Sequence, residues 1–277
     1  MIRRYIGWHF KKLKNVFRFD LSGSGRRLEL FFNLHSYLVS QSERLKFDKI
    51  SQTYILTSDV GTRYFVSSKT AKWSYWNGTM ARGESMGKGY FLDQVEFNAG
   101  DLVVDCGAHI GDLKLYFDTK GLEIEYIGFE PSPKEFLCLK KNVQPSLVYN
   151  LGLWNFTGDL KFFVSSQNAD SSFIEPKMHS HDIKMKVSRL DELEFRNIKL
   201  LKLEAEGGEL EVLQGCKNIL QNIQYISADL GFERGISEEN TLPNVINFLL
   251  EDQMFKIISA VAPSGRLTVL FESTKKI

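Results

Sequence analysis

The sequence contains little cysteine, no long apolar run and almost no net charge, and each shortage excludes a class of protein. Its three cysteines, Cys106, Cys138 and Cys216, are odd in number and far apart, so they predict neither a disulfide framework nor a zinc site and favour a cytoplasmic protein. No apolar run reaches the ~18 residues that a membrane-spanning helix needs. The 35 basic and 34 acidic residues nearly cancel, so no overall charge indicates a nucleic-acid partner.

The charge is less even at the N-terminus, where residues 1–19 contain basic side chains and no acidic one. Apolar side chains recur at helical spacing from Ile2 to Phe17, which predicts a basic amphipathic helix as the first region of the chain, residues 1–20. Such a helix can lie on an anionic membrane surface, so we expect a peripheral contact at the inner face of the membrane. The alternatives are that the helix packs against its own domain or that the segment is a frayed end.

Residues 21–95 predict a smaller α+β region, with a helix around residues 28–39 and a hairpin across residues 53–67. An aromatic and glycine-rich connection follows, "KWSYWNGTMARGESMGKGYF", and long loops of this composition often form binding surfaces. Trp76, Arg82 and Tyr90 in this connection suit the stacking and hydrogen bonding of a carbohydrate. They are equally suited to a hydrophobic seam beside the sheet.

Strands and helices alternate through residues 96–277, which predicts an α/β domain with a Rossmann-like, mostly parallel sheet and an antiparallel closing strand. In such a sheet, ligands bind beyond the carboxyl ends of the strands. Acidic residues stand at four of these ends, namely Asp105, Glu130, the pair Glu204 and Glu206, and Asp229. Solvation alone does not account for that pattern, so we expect a site at this edge.

The turn in "VVDCGAHIGD" is the core of the predicted site. Gly107 and Gly111 let a ligand approach the backbone, but His109 stands where a dinucleotide-binding turn has its middle glycine. Glu130 follows at the distance where an acid binds both hydroxyls of a ribose. A nucleoside without phosphates suits this turn better than NAD, and S-adenosylmethionine is such a ligand. Asp105 could then hold the ammonium of its amino acid tail, directly or through water.

Five segments together resemble the FkbM family of S-adenosylmethionine-dependent methyltransferases: "DLVVDCGAHIGD", "YIGFEPSPKEFLCLKKNV", "VSRLDEL", "LLKLEAEGGELEVLQG" and "SADLGFERG". The resemblance covers roughly residues 79–260, with Glu204 where the family has aspartate and His109 where it commonly has asparagine. It implies a class I methyltransferase fold and O-methylation, often of sugars or natural-product hydroxyls. The cofactor residues that it implies, together with those from the turn itself, are Asp105, Gly107, Ala108, His109, Gly111, Glu130, Leu153 and Trp154.

Methyl transfer from a sulfonium is an in-line displacement that depends on positioning, and a sugar hydroxyl benefits from a general base. Glu206 is the first candidate base because Gly207 and Gly208 open space around it, although a carboxylate here also suits a helix N-terminus. The other candidates are Glu204, Asp229 and His109. A divalent metal bound by these carboxylates is an option that we do not favour.

We therefore expect an S-adenosylmethionine-dependent O-methyltransferase that acts on a sugar, glycan, glycolipid or glycosylated metabolite. His181, in a polar loop predicted over residues 165–186, and Arg234, beyond the fifth strand, are further candidate acceptor contacts. The alternatives are a non-catalytic protein that keeps the cofactor fold for binding or assembly, and an NAD-dependent oxidoreductase, which the missing middle glycine disfavours. The sequence leaves the oligomeric state open, with a dimer as one option.

Overall fold

The computed structural model describes residues 25–67, 74–165, 171–195, 197–251, 254–262 and 267–275. The basic helix predicted over residues 1–19 lies outside these ranges. The chain divides into two compact units, one ending at Arg82 and the other beginning at Gly83. Within the described ranges, no helix has both the length and the apolar character needed to cross a membrane.

The first unit contains helix α1 (Gly25–Leu38) and an antiparallel sheet of β1 (Arg44–Asp48), β2 (Thr53–Thr57) and β3 (Arg63–Ser67). The predicted hairpin is confirmed as β2 and β3. Strand β1 was not predicted, because charged residues alternate with only two apolar ones, Leu45 and Phe47, directly after a helical pattern. The backbone ladder with β2 supplies the stabilisation that this short sequence does not signal.

The glycine-rich connection that we predicted to be a long loop is instead largely a helix, α2 (Gly78–Gly89), and this part of the prediction is wrong. Two of its four glycines pack closely against α3 (Asp112–Lys120). A Cβ atom on Gly83 would lie 2.8 Å from the Leu115 carbonyl oxygen, and one on Gly87 would lie 2.2 Å from the Tyr116 ring. Close helix contact therefore outweighs the low helix propensity of glycine, and local sequence rules do not include that contact.

A seven-stranded sheet forms the centre of the second unit, and it confirms the predicted Rossmann-like α/β class. Its strands are β4 (Leu102–Cys106), β5 (Glu125–Phe129), β6 (Leu147–Tyr149), β10 (Ile198–Leu203), β11 (Ile223–Leu230), β14 (Phe255–Val261) and β15 (Leu267–Ser273). The strand order is β14-β15-β11-β10-β4-β5-β6. Strand β15 runs antiparallel to its neighbours β11 and β14, whereas the pairs from β11 to β6 are parallel.

Helices cover this sheet, and its central strands are buried on both faces. Helix α3 follows β4, α4 (Pro133–Asn142) follows β5, α5 (Glu209–Gln214) follows β10, and α6 (Leu242–Leu250) follows β11. Successive residues Val103 and Val104 belong to different hydrophobic clusters, one on each face. This explains why β4 reads as a continuous apolar run, as parallel strands usually do.

Two smaller β elements lie outside the central sheet. One has the order β7-β9-β8, with β7 (Gly152–Leu153), β8 (Gly158–Val164) and β9 (His181–Ser188), and the other pairs β12 (Phe232–Arg234) with β13 (Glu239–Asn240). The polar loop predicted as far as residue 186 is wrong at its end, because β9 begins at His181 and pairs with β8 along its length. Most of β9 is polar and partly exposed, so its sequence lacks the apolar signal of a strand.

Candidate functional site

The candidate site lies at the carboxyl ends of β4 and β10, which are neighbours in the centre of the sheet. From these two strands the chain order continues in opposite directions, β5 on one side and β11 on the other, which makes this the topological switch point. The register aligns Asp105 with Lys202 and Cys106 with Leu203. The predicted acidic strand ends therefore meet along one edge.

The turn after β4 has a conformation that requires glycine at two positions. Gly107 has a φ of 73°, and a Cβ atom there would lie 2.1 Å from the carbonyl oxygen of Glu204. Gly111 has a φ of 95°, and its Cβ atom would lie 2.6 Å from Val143. His109 also has a positive φ, 51°, which is uncommon for a residue with a side chain. The turn is thus held close to β10 on one side and to the end of α4 on the other.

Glu130 joins this turn to the loop after β5. Its two carboxylate oxygens accept hydrogen bonds from the backbone N–H of His109 at 2.8 Å and of Ser132 at 2.7 Å. Burial, reinforced by the nearby Glu135 carboxylate, raises the pKa of Glu130 to about 8, although the two N–H donors oppose the shift. A carboxylate has about four lone-pair sites, so Glu130 retains acceptor capacity for hydroxyl groups of a ligand.

A buried ion cluster, which we call the Lys202 cluster, lies behind the turn and comprises Tyr90, Asp105, Tyr126, Lys202 and Glu204. The Lys202 ammonium lies 3.2 Å from Asp105 and 2.9 Å from Glu204, and it donates to the carbonyl oxygen of Gly107 at 2.7 Å. The hydroxyls of Tyr126 and Tyr90 donate to Asp105 and Glu204 at 2.7 and 2.6 Å. The cluster therefore ties the turn after β4 to the end of β10.

The electrostatics of the cluster favour a charged ammonium. Burial lowers the pKa of Lys202, but the carboxylates of Asp105 and Glu204 outweigh it and hold that pKa well above its ordinary value. Burial raises the pKa of Asp105, and Lys202 and Tyr126 offset only part of that effect. Two carboxylates share one ammonium here, so the cluster carries an excess of negative charge. The sequence predicted site roles for Tyr90, Asp105 and Glu204 but not for Tyr126, which is buried among the apolar residues of β5.

The segment after β10, residues 204–208, forms what we call the Glu206 loop. Glu206 is half-buried and has a φ of 49°, and Gly207 has a φ of 98°. The carboxylate of Glu209 accepts hydrogen bonds from the backbone N–H of Ala205 at 2.9 Å and of Gly207 at 3.1 Å. These bonds fix the loop at the N-terminus of α5.

Other predicted residues brace the Glu206 loop or lie beside it. Arg234 donates to the carbonyl oxygen of Gly207 at 2.7 Å and pairs with both carboxylate oxygens of Glu211. Trp154 lies so close to Gly208 that a Cβ atom there would be 2.5 Å from its ring, and Leu153 is buried in the main core.

Three further candidates have different positions. Asp229 is half-buried near the carboxyl end of β11, in the strand that pairs with β10. His181 is exposed at the start of β9, where Ser180 lies 2.9 Å from its Nδ1. Trp76 and Arg82 belong to the first compact unit. Among the residues that the structure describes, no three or more histidine, cysteine or acidic side chains form a group that could hold a metal ion.

Comparison with known proteins gives a consistent set of relatives. A family model for the methyltransferase FkbM domain matches residues 105–257, more than half of the chain. The hexuronic acid methyltransferase AglP of Haloferax volcanii is 31% identical, over 56% of this chain and 65% of AglP. Methyltransferase 1 of Beauveria bassiana is 24% identical, over 44% of this chain and 61% of that protein.

The crystal structure of methyltransferase FkbM from Methylobacillus flagellatus aligns with a TM-score of 0.47 and 17% identity, over 65% of this chain and 45% of that one. The chain thus spans less than two thirds of the length of the two curated relatives that it matches. The domain match is nevertheless long. It begins at Asp105 and includes the glycine turn, Glu130, Lys202 and the Glu206 loop. The chain therefore belongs to the FkbM methyltransferase family.

Proposed function

We propose that the protein is an S-adenosylmethionine-dependent O-methyltransferase whose acceptor is a hydroxyl of a sugar, glycan, glycolipid or glycosylated metabolite. The observation that carries this proposal is the excess of acidic groups at the switch point. Asp105 and Glu204 share the single ammonium of Lys202 beside the turn after β4, and Glu130 adds a third carboxylate when it ionises. A cationic cofactor is attracted to such a site, whereas the pyrophosphate of NAD would add negative charge to it.

The residues around the turn fit S-adenosylmethionine. Glu130 would bind the ribose hydroxyls with its remaining lone pairs, and the turn from Gly107 to Gly111, with Ala108 and His109, would allow close approach. When bound, the cofactor supplies a methyl group on a cationic sulfur. Asp105 is 1% exposed and already engaged by Lys202 and Tyr126, so we assign it an indirect role through its charge and its hold on the turn.

Leu153 and Trp154 remain our candidates for the adenine side, and they follow β6, the strand next to β5. Trp154 also packs near Phe173, with ring centroids 5.7 Å apart. Through Trp154, the Glu206 loop therefore packs against the segment that we assign to the adenine side of the cofactor.

Glu206 is our candidate for the general base that accepts the proton of the acceptor hydroxyl. Glu204 is less suited, because its Oε2 already receives the Lys202 ammonium at 2.9 Å and the Tyr90 hydroxyl at 2.6 Å. A backbone in the left-handed region costs a residue with a side chain about 1–3 kcal/mol. Eight such residues have this conformation in the described part of the chain, and Glu206 and His109 are the two in the loops after β10 and β4. His109 and Asp229 are the alternative bases.

A carbohydrate acceptor is supported by the similarity to the hexuronic acid methyltransferase of Haloferax volcanii. Trp76, Arg82, His181 and Arg234 are our candidate acceptor contacts. Tyr90 is buried and donates to Glu204, so it would act on the acceptor through that carboxylate. We propose a cytoplasmic protein, with residues 1–19 as its contact to the membrane surface.

Two measurements test the proposal. In calorimetry, S-adenosylhomocysteine should bind and NAD should not, and Glu130→Ala should weaken the binding of S-adenosylhomocysteine. Transfer of labelled methyl groups from S-adenosylmethionine to hexuronic acid glycosides should occur and should fall about a hundredfold or more in Glu206→Gln, to a residual rate that can still be measured. If S-adenosylhomocysteine fails to bind at millimolar concentration, the proposed cofactor is wrong. Binding without transfer to any glycan would instead favour a non-catalytic role.

A further inference from the structure

A short segment between β8 and β9, residues 171–175, contacts the Glu206 loop from outside the central sheet. Ser172 is almost fully buried, and its hydroxyl donates a hydrogen bond of 2.7 Å to the backbone carbonyl oxygen of Glu206. The same hydroxyl oxygen accepts the backbone N–H of Ile174 at 3.0 Å. Since a serine hydroxyl has one proton, the bond from Ile174 leaves that proton available for Glu206.

Ser172 is itself held by a rigid frame. Its backbone N–H and carbonyl exchange hydrogen bonds with Phe163 of β8, at 3.1 and 2.8 Å. The adjacent Phe173 packs against Phe162, with ring centroids 4.8 Å apart, and reaches Gly152 of β7, where a Cβ atom would lie 2.2 Å from its ring. The segment therefore links the sheet of β7, β8 and β9 to the Glu206 loop, so the position of the loop depends on that sheet.

Glu206 needs such support because of its backbone. A residue with a side chain stays at a φ of 49° only when its surroundings hold it there. Glu209 fixes the N–H groups of Ala205 and Gly207 on either side, and Ser172 fixes the carbonyl group of Glu206 itself. Loss of the Ser172 bond would leave the peptide between Glu206 and Gly207 held by Glu209 at its N–H end but no longer by Ser172 at its carbonyl end, so the direction of the Glu206 side chain would be less closely fixed.

We propose that Ser172 is a positioning residue, which sets the orientation of the catalytic carboxylate by anchoring the Glu206 carbonyl group. This inference rests on the proposed function, in which Glu206 is the base. It adds that the connection between β8 and β9, outside the strands that form the cofactor site, determines how well the acceptor hydroxyl is activated.

The first arm of the test does not depend on activity. Hydrogen exchange followed by mass spectrometry should show faster exchange across residues 204–208 in Ser172→Ala and unchanged exchange across residues 105–111. Ser172→Thr, which keeps the hydroxyl, should exchange as the wild type does. Thr119→Val is the matched control, since it removes a 2.7 Å bond from a hydroxyl to the Tyr116 carbonyl in the last turn of α3. Unchanged exchange at residues 204–208 in Ser172→Ala would overturn the proposal.

The second arm uses the transfer assay and a double-mutant cycle. Ser172→Ala should lower kcat about tenfold, which corresponds to about 1.4 kcal/mol, the range measured for one hydrogen bond. It should leave the affinity for S-adenosylhomocysteine within about twofold, and Ser172→Thr should restore kcat. In a Glu206→Gln background, Ser172→Ala should have no further effect on kcat, because coupled residues are not additive.

The outcomes separate this proposal from the proposed function. An equal loss of kcat from Ser172→Ala in the wild type and in Glu206→Gln would show a general structural effect and overturn the positioning role. Full activity in Glu206→Gln would remove the base assignment and the positioning role together, while the binding of S-adenosylhomocysteine would still report on the cofactor. Failure of the wild type to bind that ligand would overturn the proposed function, and the exchange data would still decide whether Ser172 anchors the loop.

Discussion

Replacement of Lys202 by methionine is the sharpest test of how the site is built. Methionine keeps most of the volume of the side chain and removes the ammonium that lies 3.2 Å from Asp105 and 2.9 Å from Glu204. The carbonyl oxygens of Cys106 and Gly107 lose a donor at the same time, at 3.2 and 2.7 Å. The turn after β4 thereby loses its side-chain link to the end of β10, while the backbone bond from Glu204 to the Cys106 carbonyl remains.

The expected loss of stability follows from burial. The Lys202 and Asp105 side chains are 2% and 1% exposed, so water cannot replace the ammonium. Breaking a buried ion pair by removing one partner destabilises a protein by about 3–5 kcal/mol, and we expect a value in that range. Lys184→Met is the matched control, because Lys184 pairs with Asp159 at 3.1 Å while 75% exposed, and such surface pairs contribute less than about 1 kcal/mol.

The effect should depend on pH in a defined direction. Burial already raises the pKa of Asp105 in the folded state, and removal of Lys202 should raise it further. An acid whose pKa is raised by folding stabilises the folded state below its unfolded pKa and loses that contribution as the pH rises through the folded value. The deficit of Lys202→Met should therefore grow as the pH rises above the ordinary pKa of an aspartate, about 3.9.

Urea unfolding followed by circular dichroism measures this deficit, using the transition that S-adenosylhomocysteine shifts. The second-site change Asp105→Asn should recover part of the lost stability in Lys202→Met, because a neutral amide can still accept from Tyr126 without leaving a buried charge. A deficit no larger than that of Lys184→Met, or one that does not change with pH, would show that Lys202 is not the buried counter-ion of Asp105.

Three further predictions concern the glycine turn, Glu130 and Arg234. Gly107→Ala should destabilise the protein by more than Gly121→Ala and should weaken S-adenosylhomocysteine binding at least about tenfold. Both glycines have positive φ, but only the Gly107 Cβ atom would meet a backbone carbonyl, at 2.1 Å. Equal losses of stability in urea unfolding would contradict the close contact. S-adenosylhomocysteine should bind more tightly as the pH rises toward 8 and should release protons at pH 7, because the pKa of Glu130 is raised to about 8 and ribose hydroxyls favour its ionised form. Calorimetry in two buffers of different ionisation enthalpy measures this release, and its persistence in Glu130→Gln would show another source. Arg234→Gln should lower kcat with little change in cofactor affinity, because it breaks the pair with Glu211 that braces the Glu206 loop. An equal loss of cofactor affinity in calorimetry would contradict a role of Arg234 that is limited to this loop.

Local pattern was sufficient for much of the second unit. The alternation of strands and helices predicted for residues 96–277 is present, as β5 (Glu125–Phe129) after α3 (Asp112–Lys120) illustrates, because apolar periodicity and glycine or proline boundaries are local properties. The acidic residues at the strand ends were predicted to share an edge, since parallel strands place their carboxyl ends together.

The errors arose where stabilisation comes from distant partners. Helix α2 contains four glycines, so its sequence predicts a loop. Gly83 and Gly87 nevertheless pack against α3, about thirty residues further along the chain, and this close packing overrides the low helix propensity of glycine. Strand β9 is polar, and its ladder with β8 identifies it only once both strands are in place.

The sequence was sufficient for most of the strand and helix alternation of the second unit, for the glycine turn and for the family resemblance, because each depends on residues close together in the chain. Only the tertiary structure decided the partners of the acidic groups. Tyr90 and Glu204 are 114 residues apart in sequence, and they meet at the carboxyl end of β10, whose place in the sheet is set by the strand order. A buried charge finds its counter-charge through the register of neighbouring strands, and no local pattern specifies that register.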